Sequence, residues 1–258
     1  MVKKIYHWST TWTGTVVIVL SIIFFIAQAF VIPSGSMKNT LLIGDMLFVK
    51  KFSYGIPVPR IPWIELQVLP DFNDNGHILE GDRPKRGDIV VFRYPQNELI
   101  HYVKRCVAVG GDLVALQDKH LLLHPHQGND YARKNYKDQQ LVELDGRVWV
   151  VDPHKKAYPG IHTDPKVTQD GMNYGQLFNM MPVQVPQDEF FMMGDNRDHS
   201  NDSRFWGTVP YKYIVGKPWF VYFSWNENKE IRWDRVFRSV ESLEQEINYK
   251  DAQVEGIY

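Results

Sequence analysis

Between Lys4 and Lys38 the chain carries no Asp, Glu, Lys or Arg, and within that gap residues 14–32 (GTVVIVLSIIFFIAQAFVI) are interrupted only by Thr15, Ser21 and Gln28. Crossing ~30 Å of hydrocarbon takes ~20 apolar residues, so the stretch predicts one membrane-spanning helix over 13–32. Trp8 and Trp12 precede it, where an interfacial aromatic belt would lie. Lys3 and Lys4 place residues 1–12 in the cytoplasm by the positive-inside rule, and residues 33–258 outside. A cleaved leader is the alternative, with Ala27-Gln28-Ala29 as its small-x-small cleavage site. The apolar run continues through Phe30, Val31 and Ile32, which favours an uncut anchor. A buried core helix fits the long charge-free run poorly.

The remaining 226 of the 258 residues (258 minus 32) are ample for a real core. The net charge of −1 gives no electrostatic footprint for nucleic acid. A single cysteine excludes an internal disulfide framework and a Cys-based zinc cluster. Short apolar runs at 46–50, 88–93, 100–109, 113–116, 148–151, 189–193 and 218–224 read as strands divided by Gly-Asp and similar turns. They predict a mostly β, sheet or barrel-like domain with its core at about 33–53, 85–116 and 187–225. Residues 54–84 (Pro-rich, aperiodic) and 117–186 (polar, with a hairpin of its own) read as insertions. His120, His124, His126 and His154 lack a compact ligand spacing, so no metal site is expected there. Val236, Phe237, Val240, Leu243 and Ile247 recur at helical spacing and predict a C-terminal packing helix.

The usual catalytic signatures G-x-S-x-G, S-x-x-K and H-E-x-x-H are absent, and so is a phosphate loop. Three segments carry candidate chemistry. Pro33-Ser34-Gly35-Ser36-Met37 puts two hydroxyls around a glycine that lets a ligand approach closely, although a hydrophilic linker has the same composition. In the strand at 100–109, Tyr102, Lys104, Cys106 and Ala108 share one face, opposite His101, Val103, Arg105 and Val107. A lysine on a buried face can lose its charge, and moving its pKa from ~10.4 to near 7 takes about 4–5 kcal/mol. The same lysine on an edge strand would be ordinary surface. Residues 194–204 (GDNRDHSNDSR) lie between apolar flanks and read as a semi-buried scaffold of Asp–Arg pairs.

Taken together, PSGSM with TLLIGD (33–45), KRGDIVVFRYP (85–95), HYVKRCVAVGGD (101–112) and GDNRDHSNDSRFWGTVP (194–210) resemble the bacterial type I signal peptidases, or leader peptidases. The resemblance implies a membrane-anchored serine endopeptidase that removes N-terminal signal peptides from exported pre-proteins, cutting after small-x-small sites. It makes Ser36 the nucleophile and Lys104 the general base. Ser34 would join the Ser36 N–H in an oxyanion hole, and Ser200 would orient the lysine. Asp195, Asp202 and Arg204 would form the network behind the site, and Met37, Leu41, Tyr102 and Val103 would line the substrate pockets. It implies no cofactor and no metal. The partners would be pre-protein signal peptides and the lipid bilayer, and the location the inner (cytoplasmic) membrane, with the catalytic domain periplasmic in a two-membrane cell. The chain departs in having one expected span where some relatives have two, and in Cys106 at a position often held by a small residue.

Two rivals use the same residues. A Ser-His-Asp hydrolase could employ Ser36, His101 and Asp195, but His101 and Lys104 fall on opposite faces of the strand. A membrane-tethered β-rich binding or assembly module would leave the serines and the lysine as surface decoration.

Overall fold

The run Ile89-Val90-Val91-Phe92 has no polar face, as a strand covered on both sides requires. In the computed structural model, which describes residues 2–61, 64–168, 170 and 177–246, none of the four is more than 2% exposed. They form the centre of β5 (Ile89–Tyr94), which turns through Pro95-Gln96 into the long β6 (Asn97–Val109). Proline pre-sets the φ angle of the first corner in such a turn. Val91 and Ile89 pack beside Val103, Met37 and Leu41 in one core layer. Val90 and Phe92 pack beside Tyr102, Cys106 and Met192 in another.

Before this hairpin come α1 (Val2–Ser9), α2 (Trp12–Ser21), a π turn (Ile22–Ile26), β1 (Ala27–Val31) and β2 (Asp45–Lys50), then a ribbon of β3 (Gly55–Pro57) and β4 (His77–Glu80). After it come β7 (Leu113–Gln117), β8 (His120–His124), α3 (Asn129–Asn135), β9 (Leu141–Leu144), β10 (Arg147–Val151) and β11 (Met180–Gln184). The chain then returns through β12 (Glu189–Met193), α4 (Ser203–Trp206), β13 (Val209–Pro210), β14 (Ile214–Ser224) and α5 (Val240–Leu243). The main sheet is antiparallel, in the order β1-β2-β14-β5-β6-β12-β13. A second antiparallel sheet runs β11-β7-β8-β10-β9. The two share a core layer in which Val107, Ala108, Phe191 and Met193 meet Val114, Leu121 and Leu123.

The fold is mostly β, and all seven runs read from the sequence as strands fall on strands. Two expectations need correction. The apolar stretch 13–32 is not one helix: α2 and the π turn end at Ile26, and Ala27–Val31 is the edge strand of the main sheet, in register from Ala27 opposite Lys50 to Val31 opposite Met46. That ladder continues into the Ile32 N–H bond to the Asp45 carbonyl, so backbone pairing outweighs helical continuation here. Among the described residues no helix is long and apolar enough to cross a membrane. The stretch 117–186, read as an insertion, supplies β8, β9, β10 and β11 to the second sheet, and a strand such as His120–His124 buries only three central leucines between histidines. Among the described C-terminal residues only Val240–Leu243 is α-helical. Phe237 takes a left-handed backbone (φ 59°) and is 78% exposed, which breaks the expected helix, while Ile247 lies outside the described residues.

The C-terminal segment is held instead by charge. Arg235 reaches the Asp45 carboxylate with Nη2 at 2.6 Å and Nε at 3.0 Å, and also donates to the Thr40 carbonyl. Both side chains are fully buried, and removing one partner of such a pair leaves an uncompensated charge at a cost of about 3–5 kcal/mol. Arg235→Ala is therefore expected to lower unfolding free energy by at least ~3 kcal/mol in urea titrations. A loss below ~1 kcal/mol would show that the pair does not hold the two segments together.

Candidate active site

Ser36 lies in a single 3-10 turn, Gly35–Met37, entered from extended Ser34 (φ −134°, ψ 154°). This turn is docked against residues 194–198, the loop that leaves β12. Asn196 donates from its backbone N–H to the Ser36 carbonyl (3.1 Å) and from Nδ2 to the Gly35 carbonyl (3.0 Å). Gly194 makes the approach feasible, since a Cβ there would fall 2.5 Å from the Ser36 carbonyl oxygen and 2.3 Å from Ser200 Oγ.

Lys104 is set by strand register. Pairing of β12 with β6 ends at Met193 opposite Arg105, so Lys104 is the next β6 residue that β12 leaves uncovered. Its side chain passes that strand end, and Nζ sits 2.6 Å from Ser36 Oγ and 3.2 Å from the Val103 carbonyl. The Tyr102 ring lies 5.1 Å from Nζ on the same face. Ser36 and Lys104 are 8% and 4% exposed. Burial is the main force on the amine, and it pushes the pKa down to about 8 against the opposing pull of Asp202 and Asp195.

Those two carboxylates do not bond the lysine. Asp195 is held at both oxygens by Arg105 (Nε and Nη2, each 2.8 Å) and accepts from Thr40 Oγ1 at 2.6 Å. Asp202 is held by Arg204 (Nε 2.7 Å, Nη2 2.8 Å) and accepts from the Gly194 N–H. Burial alone would raise both carboxyls, but the arginines outweigh it and keep them below the usual carboxylate range. Arg105 also bonds the Gly87 carbonyl and Glu244, and stacks on Tyr158.

A groove of about 360 Å³ runs past Ser36 and Lys104, lined by residues 30–34, Met37 and residues 100–103. Met37, Tyr102, Val103 and Ser34 border it. Leu41 does not: it is fully buried in the core layer behind Met37. Ser200 is buried beside Asp202, but its hydroxyl closes no hydrogen bond to Lys104. His101 borders the groove, packs edge-on to Phe30 at 5.1 Å between ring centres, and lies 3.8 Å from Glu65. Burial and the nearby Arg93 and Lys51 press its pKa down to about 3. With Asp195 held by Arg105, the Ser36–His101–Asp195 arrangement is not assembled. The four insertion histidines are dispersed: His120 meets Asp152, His126 meets Asp112, and His124 and His154 meet the carbonyls of Val148 and Val107. Cys106 is buried, which pushes its thiol well above the usual range.

Sequence reasoning missed Thr40, Arg105 and Asn196 as site residues. Thr40 and Arg105 carry no local signal, because their roles depend on a loop some ninety or more positions away. The Asn196 contact was hinted at only by its place beside Gly194 in a polar run.

This site is a serine hydroxyl against a buried amine, on a β scaffold, beside an extended groove. The family model described as signal peptidase, peptidase S26, matches residues 5–225. Signal peptidase I of Helicobacter pylori is 47% identical over 97% of this chain and 98% of its own length. Signal peptidase I of Pseudomonas fluorescens is 36% identical over 82% of this chain and 70% of its own. A solved signal peptidase I from Enterococcus faecalis aligns with a TM-score of 0.30 at 23% identity, over 53% of this chain and 97% of that one, too slight a likeness to bear on the fold. The chain belongs to the signal peptidase (peptidase S26) family. It is thus a serine endopeptidase of the kind that removes signal peptides from pre-proteins.

Proposed function

We propose that Ser36 is the nucleophile of this signal peptidase and Lys104 its general base, a reading carried by the 2.6 Å contact between Ser36 Oγ and Lys104 Nζ. A serine hydroxyl is a poor nucleophile until a base takes its proton. Neutral Lys104 accepts that proton as Oγ attacks the scissile carbonyl, and the resulting ammonium protonates the leaving amine. Lys104, neutral again, then draws a proton from the water that attacks the Ser36 ester, and returns it to Oγ as the acyl–oxygen bond breaks. Ser–Lys pairs replace Ser–His–Asp on other folds by the same logic. The Ser36 N–H and the Ser34 hydroxyl, at the exposed rim of the groove, serve as oxyanion donors. Asp195, Asp202 and Arg204 hold the walls around the lysine. Ser200 serves as a support that turns its hydroxyl to the amine when substrate enters.

An extended peptide sends alternate side chains to the same side, so the first and third residues before the cut point into the same wall. Met37, Tyr102 and Val103 crowd that wall, with Leu41 behind Met37, which favours small-x-small sequences. The bilayer is the natural neighbour of α2, where Val16, Val17, Ile18, Val19 and Leu20 are each 38–49% exposed. With Lys3 and Lys4 inside, the anchor leaves the catalytic domain on the extracytoplasmic face of the cytoplasmic membrane.

Lys104→Arg keeps the charge but cannot lose it, so kcat/KM is expected to fall at least ~100-fold with the fold intact by circular dichroism. His101→Ala is expected to retain most activity. For the unaltered chain, kcat/KM should rise with pH towards about 8 and then level, because only the deprotonated amine is competent. An active Lys104→Arg would refute the dyad.

Replacing Ala by Phe at the first or third position before the cut is expected to slow cleavage by about a hundredfold, equivalent to ~2.7 kcal/mol of transition-state binding. Equal rates for both residues, measured on a pre-protein panel, would contradict the pocket assignment while leaving the dyad standing.

A further inference from the structure

One position past Asn196, the side chain of Arg197 leaves the active-site loop and lines a different pocket of about 80 Å³. Its other walls are the 118–120 turn between β7 and β8, Asp152, Lys155 and residues 161–163, none of which borders the substrate groove. Arg197 is 5% exposed, and its Nε has no hydrogen-bond partner. The carboxylates whose charges favour it are Asp195, Asp152 and Asp202. Each is engaged elsewhere: Asp195 by Arg105 and Thr40, Asp202 by Arg204 and the Gly194 N–H, Asp152 by His120 and the Leu121 N–H. Burial consequently presses the guanidinium down to about 10. A buried charge without a partner costs several kcal/mol, so a counter-ion in the pocket would relieve a large penalty.

Two further cations line the pocket. Lys155 is exposed at its edge, and Lys119 bonds the Asp164 and Val167 carbonyls and Asp198. Against these stand Asp118, at the exposed turn, and Asp152. We propose that this pocket is a binding site for a small free oxyanion of the phosphate or sulfate class, with Arg197 as its principal ligand and Lys155 as its outer cation. At about 80 Å³ against about 360 Å³ for the substrate groove, the pocket suits a small free oxyanion better than a phosphate carrying a glycerol backbone.

Thermal unfolding of the full chain in detergent tests this with inorganic phosphate, sodium chloride at equal ionic strength, and short-chain phosphatidylglycerol. Phosphate is expected to raise the midpoint saturably at millimolar concentration or below, and chloride is not. Lys155→Glu, at an exposed position that leaves the fold unburdened, should weaken the apparent phosphate affinity at least tenfold. Arg197→Gln should abolish the response, and Lys134→Glu on α3 should leave it unchanged. A response that chloride reproduces, one that Lys155→Glu leaves intact, one given by phosphatidylglycerol alone, or none at all would each overturn the site.

Discussion

An ammonium group taken out of water ordinarily secures a carboxylate, and two buried carboxylates lie within electrostatic reach of Lys104. Neither touches it, because Arg105 holds both oxygens of Asp195 and Arg204 both oxygens of Asp202. A direct Asp–Lys pair would stabilise the charged amine and raise its pKa. With the acids engaged by arginines, which stay protonated, desolvation dominates and the amine is left beside a hydroxyl. The chemistry proposed at Ser36 depends on this division of partners. The polar network is thus an electrostatic shield as much as a scaffold.

The sheet supplies the geometry for that division. Because β12 stops pairing at Arg105, adjacent residues of β6 diverge: Arg105 stays under the sheet against Asp195, and Lys104 rounds the strand end towards Ser36. The same loop that carries Asp195 fastens the Ser36 turn through Asn196, and Gly194 lets the two backbones approach. At the other end of the Ser36 segment, Asp45 is clasped by Arg235 and Ser224, so the Ser36 turn is pinned by neutral hydrogen bonds on one side and by buried charge on the other.

Much of this was legible in the sequence, and the parts that were not share a physical cause. Strands such as Ile89–Tyr94 announce themselves because both faces are apolar. The Lys104 face was readable from period-two alternation along β6. The partner of Arg105 was not, since alternation says which side a residue faces and nothing about what a distant loop places there. The helix expected over 13–32 stops short because Ala27–Val31 meets a strand partner in β2, a long-range pairing invisible to local hydropathy. Of the second sheet, the runs at 113–116 and 148–151 were legible as strands, whereas β8, β9 and β11 were not, because they are short and carry polar or exposed residues. Leu41 was placed on the groove wall with Met37, but the turn after Met37 carries it into the core.

The central claim is that burial brings the Lys104 amine down far enough for its neutral form to be reached near pH 8, while its shielding carboxylates remain ionised. Titrating the ¹⁵Nζ resonance of Lys104 by NMR in the full chain, assigned by comparison with a Lys104→Met sample, measures this directly. The account predicts a midpoint near 8. A midpoint at the ordinary lysine value of ~10.4 would show a permanently charged ammonium at Ser36 and contradict it.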